Sequence, residues 1–106
     1  MIRAEFLIDR DGRIHGFHIR GHAGLAESGE DVLCAFVSSA AYMTANTITE
    51  VLGVPAQATA EDGDMKVTVA EKDLETCRTV LAGLKLHLLA TEEQYPDNIK
   101  VMITEV

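Results

Sequence analysis

Ile2-Arg3-Ala4-Glu5-Phe6-Leu7-Ile8-Asp9-Arg10-Asp11-Gly12 opens the chain with a strand and the turn that folds it back. Ile2, Ala4, Phe6 and Ile8 fall on one face, and Arg3, Glu5 and Leu7 on the other. That period of two predicts a strand with one buried side. Gly12 supplies the positive φ of a hairpin turn. A second strand follows to about Arg20, with Arg13, His15, Phe17 and Ile19 on one face and Ile14, Gly16, His18 and Arg20 on the other.

Such a pair needs an apolar layer, and the next segments provide one. Residues 21–30 contain three glycines, a serine and no apolar run, which predicts a loop, mobile by composition. From about Asp31 to Leu52 the spacing predicts a helix, ended by Gly53 with Pro55 just beyond. Ala56–Glu61 and Met65–Ala70 alternate around Asp62-Gly63-Asp64, a second helix runs from about Asp73 to Glu93, and Ile99, Val101 and Ile103 mark a last strand. The order is ββα–ββα–β. It predicts an α+β fold, a two-layer α/β sandwich with two helices on one face of a mixed or antiparallel sheet. Residues 1–106 read as one domain.

Composition excludes several functions. A net charge of −8 opposes nucleic-acid binding, which needs a basic face to displace counterions, and favours a basic partner. Two cysteines make no disulfide scaffold, and Met1–Glu5 lacks the apolar stretch of a signal peptide. No segment reads as a membrane span. A cytoplasmic protein with free thiols is expected.

Between Cys34 and Leu52 the first helix carries only one formal charge, Glu50. A helix apolar nearly all round is covered on more than one side. The sheet covers one side; the second helix or a second subunit covers the rest, so a homodimer is expected.

Two side chains suggest chemistry. Cys34 lies in the first helical turn if Asp31 is the N-cap, and about a turn later if Ser28 is. Either way the helix end favours its thiolate, and backbone amides there suit an oxyanion. A free cysteine is more often simply a small buried hydrophobe. His22, in the turn Gly21-His22-Ala23-Gly24, is the candidate base, although a loop histidine is usually just solvated. Asp31 caps the helix or orients the imidazole, capping being the better reading. Ser38, one turn beyond Cys34, lines a pocket or bonds the i−4 carbonyl. Leu74, Cys77, Leu81, Leu84 and Leu88 form a core stripe with His87 at its boundary. His15 and His18 face opposite sides of a strand, so no metal site is expected, and no cofactor fingerprint is present.

The run Gly21-His22-Ala23-Gly24, then Gly29-Glu30-Asp31-Val32-Leu33-Cys34-Ala35 and Val37-Ser38, resembles the ribosomal-processing cysteine protease (Prp) family. The likeness extends over the whole chain in length and element order. It implies a dyad with Cys34 as nucleophile and His22 as base and acid. It also implies a homodimer that removes the N-terminal extension of large-subunit ribosomal protein twenty-seven. Phe36 and Leu33 are bulkier than the pattern, which would reshape the pocket.

On that reading an extended tail enters between the 21–30 loop and the first helix, and the loop closes over it. The alternatives are a non-catalytic ribosome-associated binding module and a redox-sensing thiol. A dyad thiol alkylates fast well below pH ~8 and slows when the histidine is removed, whereas a free thiol has a pKa of about 8.5.

Overall fold

The computed structural model describes residues 1–22 and 28–106, and of residues 28–31 the backbone alone. Strands β1 (Ile2–Ile8) and β2 (Ile14–Arg20) precede helix α1 (Ser28–Asn46). Strands β3 (Ala56–Glu61) and β4 (Asp64–Val69), helix α2 (Leu74–Gln94) and strand β5 (Ile99–Glu105) follow. The expected element order is therefore observed. One five-stranded sheet has the order β3-β4-β2-β1-β5. Its pairs are antiparallel except β1 with β5, so the sheet is mixed.

The core face of the sheet presents Ile2, Ala4, Phe6, Phe17, Ile19, Met65, Val67 and Val69. Phe6 and Phe17 pair directly across β1 and β2, with ring centroids 6.4 Å apart. Against this face α1 lays Leu33, Val37, Ala41 and Ala45, and the turn that follows it adds Ile48. From α2 come Leu74, Cys77, Leu81, Leu84 and Leu88, the stripe that the spacing predicts. Each large apolar side chain so buried is worth roughly 1.5–3 kcal/mol, more than a surface ion pair. Burial holds the layers together.

Four details depart from the expectations. Leu7 pairs with Gly16 but Ile8 pairs with Ile14, so one extra residue is inserted in β2. This bulge reverses the alternation, and Ile14, expected on the face opposite Phe17 and Ile19, packs against the same core as they do. Helix α1 starts at Ser28, earlier than expected, and ends at Asn46, where a π-turn (Thr47–Val51) takes over. The Leu52 amide donates to the Thr47 carbonyl at 2.8 Å there. Ile103, expected in the buried alternation, is exposed on edge strand β5, which has a neighbour on one side only.

The last departure concerns hydropathy. Val32–Val51, 20 residues with mean hydropathy 1.3, is long and apolar enough by composition to cross a membrane. The expectation that no segment qualifies is corrected on that point. Yet Leu33, Val37, Ala41, Ala45 and Ile48 of this segment are buried in the sheet's own core.

Candidate active site

Strand β2 ends with Arg20 opposite Asp64 at the start of β4. Just beyond, the Gly21 amide donates to the Gly63 carbonyl at 2.8 Å. The turn between β3 and β4 therefore lies against the Gly21-His22 segment. Gly21 has φ +91°, and a Cβ there would come 2.4 Å from the Met1 carbonyl oxygen. Only glycine fits that crossing. The His22 carbonyl accepts a bond from the Met1 nitrogen, which ties the segment to the start of β1.

Cys34 and Ser38, one turn apart on α1, line a cavity of about 340 Å³ with Gly21, His22 and Tyr42. Glu61, Asp62, Gly63 and Asp64 form another wall, and Ile2, Ile19 and Met65 also line it. Cys34 is half-buried and packs against the core, whereas His22 is exposed. The other thiol has a different setting. Cys77 is fully buried, and burial, then the nearby Asp73 charge, pushes its pKa up.

Three acidic residues border the cavity, and Asp64 turns its carboxylate to the outer face of the sheet. Asp64 accepts a hydrogen bond from His18 Nε2 at 2.8 Å, and Glu5 lies 3.8 Å from His18 Nδ1. Among the described residues, no three His, Cys, Asp or Glu side chains are grouped to hold a metal.

Four of the expected site residues thus meet at one cavity: Gly21, His22, Cys34 and Ser38. Ala23 and Gly24 lie outside the described residues, as does half of the 21–30 loop expected to close over a substrate. Asp31 is not the N-cap, because α1 already runs from Ser28; its side chain lies outside the described residues. Cys34 is accordingly in the second turn, where its own amide is spent inside the helix. Leu33 and Phe36, expected to reshape the pocket, do not line it: Leu33 is in the core and Phe36 faces α2. Sequence reading missed Tyr42, Glu61, Asp62, Gly63 and Asp64. Asp62-Gly63-Asp64 is legible as a turn, but nothing local ties it to His22.

Comparison with known proteins identifies the family. The profile of the family described as cysteine protease Prp matches residues 1–100. The chain belongs to the Prp family. It is a cysteine protease. The ribosomal processing cysteine protease Prp of Bacillus subtilis is 27% identical over 107 residues, covering 95% of this chain and 96% of the relative. Prp from S. aureus in complex with a substrate peptide has a TM-score of 0.87 at 21% identity, covering 98% of this chain and 100% of that one. The S. aureus enzyme with a covalently linked product peptide also gives 0.87, at 22% identity and the same coverage. The mixed sheet with its two helices is the Prp fold.

Proposed function

We propose that this Prp family member cleaves peptide bonds through a Cys34–His22 dyad. His22 takes the Cys34 thiol proton as Sγ attacks the scissile carbonyl. The tetrahedral intermediate collapses with the C–N bond breaking, and the imidazolium gives its proton to the leaving amine. A thioester remains. Water, deprotonated by His22, then attacks it, the C–S bond breaks and the thiol is restored. The observation that carries this reading is the cavity lined by both Cys34 and His22. The S. aureus relative's covalently linked product peptide is in keeping with it.

The substrate we infer is the precursor of large-subunit ribosomal protein twenty-seven, trimmed of its N-terminal extension in the cytoplasm. Ribosomal processing is in the name of the B. subtilis relative. Glu61, Asp62 and Asp64 on the cavity wall suit a basic ribosomal protein. We further infer a homodimer, for which exposed Val32, Phe36 and Met43 on α1 supply an apolar face. Incubation with the organism's own precursor, read by mass spectrometry, tests the activity. The wild type should release the extension, and Cys34→Ala and His22→Ala should each leave the precursor intact. Undiminished cleavage by Cys34→Ala would end the scheme.

A further inference from the structure

Gly63 sits between β3 and β4 at φ +73°. A Cβ built on it would lie 2.6 Å from Nε2 of His22, 3.1 Å from Cε1 and 3.4 Å from Cδ2. The imidazole therefore occupies the space that any other residue's Cβ would take. The same glycine also holds the backbone that carries the ring, because its carbonyl accepts the Gly21 amide at 2.8 Å. Ring and main chain are both located by one residue.

Two other glycines supply the contrast. Gly12 (φ +82°) and Gly53 (φ +67°) share the left-handed backbone, yet among the described residues no atom lies within 4 Å of a Cβ at either. Backbone conformation explains those two. At Gly63 it explains half, and the approach of the imidazole explains the rest.

We infer that Gly63 is a positioning residue for catalysis, its bare α-carbon being the surface on which the His22 ring rests beside the Cys34 cavity. This deepens the dyad reading and rests on it. His22 is exposed and its ring ends a rotatable side chain, so an added Cβ turns the ring aside while the sheet stays intact. A general base must lie within hydrogen-bond reach of its proton, and a displacement of about 1 Å can cost on the order of 100-fold in rate.

The test compares Gly63→Ala and Gly63→Asn with Gly12→Ala and Gly53→Ala. Asparagine tolerates positive φ, so Gly63→Asn adds a Cβ with less backbone strain. Three quantities are read: kcat and KM on the ribosomal precursor, iodoacetamide alkylation of Cys34 against pH, and the NMR resonances of the His22 ring. Both Gly63 variants should lose about 100-fold in kcat with little change in KM. They should also lose fast alkylation below pH ~8 and shift the ring resonances. The Gly12 and Gly53 variants should lower thermal stability and leave all three readouts near wild type. Unmoved ring resonances, or a wild-type alkylation profile, in a folded Gly63 variant would overturn the inference. A wild-type alkylation profile in His22→Ala would instead sink the dyad, with the ring resonances still reporting whether Gly63 seats the imidazole.

Discussion

Phe36 of α1 stacks on the imidazole of His87 of α2, with ring centroids 5.0 Å apart and 30° between the planes. The pair lines a groove between the helices with Val32, Met43 and Leu84. Val32 is 69% exposed and Met43 64%, so this apolar face lies open in the single chain. If a second copy covers it, a charge at its centre must block association. The wild type should sediment as a dimer at micromolar concentration, and Met43→Glu should weaken self-association at least tenfold, or about 1.4 kcal/mol. A wild-type monomer at that concentration removes the dimer.

The two thiols should differ in reactivity. Cys77 is fully buried with its pKa raised, while Cys34 borders a cavity. The thiolate is the form that alkylates. Iodoacetamide should therefore modify Cys34 alone in the native protein and both cysteines after denaturation. Peptide mapping reads the result. Native modification at Cys77 first would contradict the burial described for it.

The acidic wall predicts a dependence on salt. Glu61, Asp62 and Asp64 line the cavity, and charges there attract a basic peptide over about a Debye length, roughly 10 Å at 0.1 M salt. The combined change Glu61→Gln with Asp62→Asn should raise KM severalfold and flatten its rise with ionic strength, with kcat little altered. Steady-state kinetics at low and high salt would show this. An unchanged KM would remove the wall from substrate binding.

Asp9 predicts acid sensitivity of the first hairpin. Its carboxylate accepts bonds from His15 Nε2 at 2.9 Å, from the Asp11 and Arg13 amides, and from Arg13 Nε. These partners, His15 foremost, hold its pKa well below the usual carboxylate range. A depressed folded pKa stabilises above the unfolded value, about 3.9, and that contribution is lost as pH falls through the folded one. Asp9→Asn should lower thermal stability at pH ~7 and flatten the decline of stability below pH ~4. Thermal melts across that range check both parts; parallel curves for the variant and wild type would refute the linkage.

Much of the fold is legible because periodicity is local. Leu74, Cys77, Leu81, Leu84 and Leu88 share a helix face whatever covers it, and all five are buried. Ile2, Ala4 and Phe6 share a strand face for the same reason. The bulge that carries Ile14 to the core is not legible, since it depends on how β1 and β2 are paired. The start of α1 is ambiguous because Ser28 and Asp31 are both competent caps.

From residue order alone come the class of fold, the buried faces and a nucleophile with a candidate base. The cavity needed the folded chain: β2 pairs with β4, which sets Gly63 beneath His22 and brings the turn between β3 and β4 to the space beside Cys34. Side-chain spacing along a strand or helix is set by backbone geometry within a few residues. Which strand lies beside which is settled by hydrogen bonds and burial between segments some forty residues apart, such as Arg20 and Asp64, and no local pattern encodes that partner.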